Sequence, residues 1–225
     1  MSNKIKVLIV DDSALIRELL TNILNSEPDI EVVGKASDAY FAVDKIKQVN
    51  PDVITLDIEM PKVNGLVFLE NIMKSNPLPV IVISSLTEKG SATTIKALQL
   101  GAIDFVSKPK SDINSEFPKL RDEIIQKIKV AYNASEKFKK RKKTLKSYQE
   151  TKVEFSQKTS KIIAIGSSTG GVEAITTLLK HLPSNIPPIV IVQHMPEKFI
   201  GPFTKRLDSY FDFTVKTAED NEPLK

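Results

Sequence analysis

With 225 residues, 41% hydrophobic and 27% charged, the chain has the make-up of a globular protein with room for one large domain or two small ones, and two is the better reading. No apolar run approaches the ~20 residues that span a bilayer, and the absence of cysteine excludes disulfides, thiolate catalysis and cysteine-zinc sites. The net charge of +4 is local: residues 134–158 carry nine Lys or Arg against three Glu, a net +6 that leaves −2 for the rest of the chain.

The opening MSNKIKVLIVDD enters a strand directly and lacks the long apolar region and small-residue cleavage site of a signal peptide, so a cytoplasmic location is expected, with no insertion into membrane. Short β-branched runs near residues 4–10, 30–36, 52–57, 79–84 and 102–106 alternate with helical patterns, which predicts buried parallel strands in βα units. Leu15, Ile16, Leu19, Leu20, Ile23 and Leu24 form a stripe at helical spacing, with Asp12 or Ser13 as its cap. Polar residues close the apolar runs: Asp11 and Asp12 after KVLIV, Asp57 after DVITL, Ser84 after VIVI, Lys108 after DFVS. Parallel strands present those ends at one sheet edge, where ligands of such sheets bind. A strand order of 2-1-3-4-5 would bring Asp11, Asp12 and Asp57 together. One carboxylate pair at about 4 Å repels by roughly 4 kcal/mol at an effective dielectric near 20. A hard divalent cation relieves that repulsion, and oxygen ligands with room for water and a phosphate oxygen describe a Mg²⁺ site. Taken singly, the same residues read as a helix cap, a turn aspartate and a solvated lysine.

VDDS, LDIEMP followed by NGL, VISS and GAIDFVSKP resemble the receiver domain of two-component response regulators, over residues 1–125. The resemblance implies a doubly wound five-stranded parallel sheet. It implies that Asp57 accepts a phosphoryl group from the phosphohistidine of a sensor histidine kinase, and that Asp11, Asp12, Asp57 and the backbone carbonyl of Glu59 hold Mg²⁺. On the same basis Lys108 pairs with the phosphoryl oxygens, Ser84 hydrogen-bonds them, and Phe105 changes rotamer in response. Phosphoryl transfer asks of a protein mainly positioning and electrostatics, which such residues can supply.

Ile124, Ile125 and Ile128 continue a helical stripe, after which the pattern thins into SEKFKKRKKTLKSYQETKVEFSQKTS. Residues 126–159 are expected to be a helix end and a lysine-rich tether, since charged linkers extend by self-repulsion. A nucleic-acid footprint is the weaker alternative, because no interleaved aromatics or recognition helix accompany the lysines.

Residues 160–225 form the second unit. KIIAI runs into Gly166-Ser167-Ser168-Thr169-Gly170-Gly171, then into a helix with Val172, Ile175, Leu178, Leu179 and Leu182 at helical spacing, and PIVIV ends at Gln193-His194. This is a βαβ unit, whose strands run parallel and share an edge. Ser168 and His194, 26 positions apart, can therefore meet. Gly166-x-Ser168-x-Gly170 has nucleophile-elbow spacing, a short pattern. A hydroxyl there with a histidine nearby suits acyl transfer, and helix-start N–H groups favour developing negative charge. The residues alone leave a phosphate-cradling loop and a plain loop histidine open, although GxGxxG and GxxxxGK[ST] are both missing. His181 reads as a helix-end residue favoured by the dipole.

IAIGSSTGG followed by VIVQHMP resembles the catalytic domain of the chemotaxis protein-glutamate methylesterase family, the CheB family, and GSATTIKALQLGAIDFVSKP resembles that family's own receiver. The resemblance implies an α/β chain: receiver, linker, then an incomplete Rossmann-like methylesterase domain. It implies a serine hydrolase that removes methyl groups from glutamate esters of methyl-accepting chemoreceptors and deamidates receptor glutamines. Ser168 would be the nucleophile, His194 the general base and Thr169 a supporting residue. The family's triad aspartate lies in a later Met-Gly-x-Asp-Gly segment, which nothing in these 225 residues matches; Asp208, Asp212 and Asp220 stand in other contexts. The chain is therefore expected to stop short of the family's full catalytic domain and to be a weak esterase. The alternative from another class is a response regulator whose second unit is a non-catalytic docking module.

Overall fold

The computed structural model describes residues 4–60, 64–85, 88–109, 112–141, 161–183 and 186–224. The chain divides into two units, Met1–Lys143 and Thr144–Lys225.

The first unit is a five-stranded sheet in the order β2-β1-β3-β4-β5, with every pairing parallel. Its strands are β1 (Ile5–Val10), β2 (Ile30–Ala36), β3 (Val53–Asp57), β4 (Val80–Ser85) and β5 (Asp104–Lys108). Its helices are α1 (Ala14–Asn25), α2 (Ala39–Val49), α3 (Gly65–Ser75), α4 (Glu88–Gln99), the short α5 (Ile113–Glu116) and α6 (Arg121–Arg141), with a 3-10 turn at Phe117–Leu120. Every residue of β3 is buried, as expected of a central strand covered on both faces. On one face Ile16, Leu20, Ile23 and Leu24 of α1 and Ile124, Ile125, Ile128 and Ala131 of α6 close over Val7, Ile9, Val53, Ile81, Ile83 and Val106. Each fully buried aliphatic side chain there contributes roughly 1.5–3 kcal/mol. Leu15 is 43% exposed: one residue before Ile16, it stands about 100° around the helix from the buried face. Ser13 is the α1 cap, its Oγ accepting from the Ile16 N–H at 3.4 Å. Asp12 is left exposed.

Register places the site. Val10 lies opposite Leu56, so Asp11 and Asp57 follow side by side at the ends of adjacent strands. Pairing of Ser85 with Lys108 brings the lysine to the same edge. β5 begins two residues later than its apolar pattern predicts, because the Ala102 N–H still closes the end of α4 on the Ala97 carbonyl at 3.1 Å. Gly65 lets α3 start against β3: a Cβ there would lie 2.6 Å from Ile58 Cα and 2.7 Å from the Asp57 carbonyl oxygen.

The second unit pairs β6 (Ile163–Ser167) and β7 (Ile189–Gln193) in parallel, joined by α7 (Gly171–Lys180) and followed by α8 (Glu197–Asp208). α7 buries Val172, Ile175, Thr176 and Leu179, while Leu178, expected on that stripe, is 43% exposed. The pairing of Ile163 with Ile189 starts β6 two residues after the predicted KIIAI run. α8 buries Phe199, Phe203 and Leu207 at a four-residue spacing, despite Pro202 within it. The lysine-rich stretch expected to tether the units falls partly in α6; residues 142–160 lie outside the described residues.

Candidate functional sites

At the edge of the first sheet the strand ends deliver three carboxylates into one space. Asp11 and Asp57 are 1% and 3% exposed, Asp12 is exposed, and one oxygen of each lies within 4.8 Å of the others. Lys108 reaches in from the end of β5, its Nζ 2.6 Å from Asp57 Oδ2 and 2.9 Å from Asp11 Oδ2. Main-chain donors fix the remaining oxygens: the Glu59 N–H donates to Asp57 Oδ1 and the Ser13 N–H to Asp11 Oδ1, each at 2.9 Å. Burial pushes the Asp11 carboxyl above its ordinary range, with Lys108 opposing and the Asp57 charge reinforcing the rise. Burial works against the charged form of Lys108, but Asp57 and Asp11 outweigh it and the ammonium is held above its ordinary range. Asp11 Oδ2 is buried beside that ammonium yet takes no well-aligned hydrogen bond, which leaves lone pairs facing the cluster. Hard oxygen donors, excess negative charge and an unsatisfied buried oxygen fit a small divalent cation.

Ser84 is fully buried at the end of β4, where its Oγ accepts from Thr94 Oγ1 of α4 at 2.5 Å. Phe105 is 3% exposed on β5. Lys127 of α6 lies 5.2 Å from the Phe105 ring centroid and donates to the Phe105 carbonyl at 2.5 Å, while pairing with Glu123 at 2.8 Å. Neither Thr94 nor Lys127 was legible in the sequence. Their roles come from packing between elements, which leaves no local pattern.

The second constellation sits where β6 and β7 end. The His194 N–H donates to the Ser167 carbonyl at 2.9 Å, which carries the strand pairing one residue beyond the sheet. Ser168 Oγ then lies 3.3 Å from His194 Nδ1, with both side chains exposed. Thr169 is half-buried in the turn that follows. Between the strand ends, Gln193 Nε2 donates to the Ser168 carbonyl at 3.0 Å and to the His194 carbonyl at 3.2 Å. Its Oε1 accepts from Ser167 Oγ at 2.5 Å. Gly171 makes room, since a Cβ there would come within 2.0 Å of Gln193 Oε1. An exposed hydroxyl beside an imidazole can act as a nucleophile with its proton acceptor, and the start of α7 supplies N–H groups for negative charge. His181 lies apart as the C-cap of α7, its Nδ1 2.7 Å from the Thr177 carbonyl. Asp208 Oδ1 accepts from the Val215 N–H at 2.8 Å, and Asp212 and Asp220 are exposed; among the described residues none of the three bonds His194.

Residues 7–115 match the response regulator receiver domain family and residues 163–225 the CheB methylesterase family. The chain is 45% identical over 99% of its length to a protein-glutamate methylesterase/protein-glutamine glutaminase of Hydrogenovibrio crunogenus, covering 67% of that protein. The chain belongs to that family. Another member, from Geobacter metallireducens, is 50% identical over 98% of the chain and 62% of its own length, and one from Nitrosomonas europaea is 49% identical over 97% and 62%. The chain thus spans somewhat under or about two thirds of the length of these methylesterase/glutaminase relatives. The crystal structure of the response regulator domain of Thermotoga maritima CheB aligns with a TM-score of 0.54 and 50% identity, over 58% of this chain and 98% of that one. The doubly wound receiver sheet is thereby shared with a CheB receiver, and the βαβ unit falls within the methylesterase match.

Proposed function

We propose that the protein is a phosphorylation-controlled protein-glutamate methylesterase and protein-glutamine deamidase that acts in the cytoplasm on methyl-accepting chemoreceptors, within a two-component chemotaxis pathway. The approach of Ser168 Oγ to His194 Nδ1 at 3.3 Å, at the adjoining ends of two parallel strands, carries this reading. Residues 1–125 are the receiver, 126–159 the helix end and linker, and 160–225 the start of the catalytic domain. A chemotaxis sensor histidine kinase is the phosphodonor, and the receptors are substrates met at the membrane surface; no helix among the described residues is long and apolar enough to cross it.

In the receiver a carboxylate oxygen of Asp57 attacks the phosphorus of the kinase phosphohistidine. The new P–O bond replaces the P–N bond, and the histidine leaves with the electron pair. Lys108, already 2.6 Å from Asp57, pairs with the phosphoryl oxygens, Ser84 turns its hydroxyl to donate to them, and Phe105 changes rotamer. Asp11, Asp12, Asp57 and the Glu59 carbonyl would hold Mg²⁺, which supplies positive charge against those oxygens when bound. In the second unit Ser168 Oγ attacks the γ-ester carbonyl while His194 takes its proton. The proton then goes to the leaving group as its bond to the carbonyl carbon breaks: to the methoxide oxygen, giving methanol, or to the amide nitrogen of a glutamine, giving ammonia. Water, deprotonated by the same imidazole, hydrolyses the acyl-enzyme. Thr169 helps orient the pair.

The test uses methylated receptor membranes and the chain extended by its relatives' downstream segment. A small phosphodonor with Mg²⁺ should raise methanol release, and Asp57→Asn should remove the increase while sparing the basal rate. An increase of equal size in the mutant would overturn phosphorylation control through Asp57.

A further inference from the structure

Ser168 and His194 both lie just beyond a strand, exposed and outside regular structure, so the strands alone do not fix the distance between their side chains. Gln193 bridges that gap. It is the last residue of β7, and its carboxamide reaches across to the end of β6. The two atoms hydrogen-bonded to its Nε2 are carbonyl oxygens, one of Ser168 and one of His194. Carbonyls cannot donate, so the NH₂ end must face them, and the oxygen end is left to the Ser167 hydroxyl. Both amide hydrogens are thereby used, one on the residue that carries the hydroxyl and one on the residue that carries the imidazole. Gly171 keeps the space open, because any Cβ there would collide with Oε1.

Resting on the esterase reading of Ser168 and His194, we infer that Gln193 is a positioning residue: its amide clamps the two main chains together and so sets the distance between nucleophile and base. It touches neither reacting atom. A misplacement of about 1 Å in such a pair can lower a rate on the order of 10²-fold, which is why a clamp next to an exposed pair matters. Packing alone would be served as well by glutamate, which has the same shape. Glutamate, however, has no hydrogens to give and would set a carboxylate against two carbonyl oxygens.

The chain contains two histidines, so His181→Gln leaves His194 as the single imidazole, and its ring nitrogens can be followed by ¹⁵N magnetic resonance in the 225-residue chain. Removing the hydroxyl with Ser168→Ala should shift the Nδ1 resonance of His194. In the Gln193→Glu background, with amide dispersion of the βαβ unit retained, the same Ser168→Ala change should no longer shift it. A full-sized shift in that background would overturn the role of Gln193. Should Gln193→Glu fail to fold, Ser167→Ala decides in its place: loss of the hydroxyl that orients the amide should shrink the response, and an undiminished response would overturn the inference. If Ser168→Ala leaves Nδ1 unmoved in the parent chain, the pairing of Ser168 with His194 itself fails, and the clamp fails with it.

Discussion

Asp11, Asp57 and Lys108 gather two carboxylates and an ammonium in a space largely closed to water, and that confinement shows in the titration of Asp11. Because the Asp11 carboxyl is raised, the native state holds its proton more tightly than the unfolded chain does. Its contribution therefore favours folding below the ordinary value near 3.8 and is lost as pH rises through the raised native value. Asp11→Asn should abolish that dependence and raise receiver stability at neutral pH by about 1 kcal/mol, through relief of burial and like-charge repulsion. Urea unfolding across pH in metal-free buffer checks it; a less stable mutant would show that the Lys108 pairing outweighs burial. At Asp57 the expected outcome is categorical: a small phosphodonor with Mg²⁺ labels the parent chain and leaves Asp57→Asn unlabelled, as read by intact mass. Asp11, Asp12, Asp57, Ser84, Phe105, Lys108, Ser168 and His194 could be singled out from the sequence because each stands at or just past an apolar run in a recognisable motif. Thr94, Lys127 and Gln193 could not: a hydroxyl on Ser84, an ammonium over Phe105 and an amide on two carbonyls arise only once elements pack.

At the scale of elements, alternation of β-branched runs with helical stripes was enough to predict the five parallel strands of the receiver, since parallel strands need helical crossovers; their order, 2-1-3-4-5, entered only as the condition under which the carboxylates meet, and the sheet has it. Boundaries were less legible. β5 and β6 each begin two residues late, β5 because the end of α4 still holds Ala102 and β6 because its pairing with β7 starts at Ile163, not where hydrophobicity rises. α8 gave little warning, since Gly201 and Pro202 interrupt a pattern that Phe199, Phe203 and Leu207 nevertheless bury. The junction of β3 with α3 is the most demanding local fit. Gly65→Ala must push α3 off the Ile58 and Asp57 backbone, so a loss of about 2–3 kcal/mol is expected, together with slower labelling of Asp57. Thermal unfolding and phosphodonor labelling of the same mutant check both halves. Unchanged stability would mean that α3 can shift freely.

For the whole molecule, the charge-rich stretch between two units predicts that trypsin cuts first between Lys137 and Lys158 and releases a stable receiver. Early cuts inside residues 1–120 would show the boundary to be misplaced. The second unit, a two-stranded sheet with Val192 69% and Ile162 55% exposed, should be the more fragile fragment. On the function proposed above, its chemistry rests on Ser168 and His194. In serine proteases, neutralising the triad aspartate lowers kcat about 10⁴-fold, roughly 5.5 kcal/mol, because the histidine loses its tautomer and its cationic stabilisation. The measurement is methanol release from methylated receptors by three polypeptides: these 225 residues, the chain extended by its relatives' downstream segment, and the extended chain with Ser168→Ala. The 225 residues should run near background, the extended chain should turn over, and Ser168→Ala should lower that turnover by at least about 10³-fold. Turnover that survives Ser168→Ala would contradict Ser168 as the nucleophile.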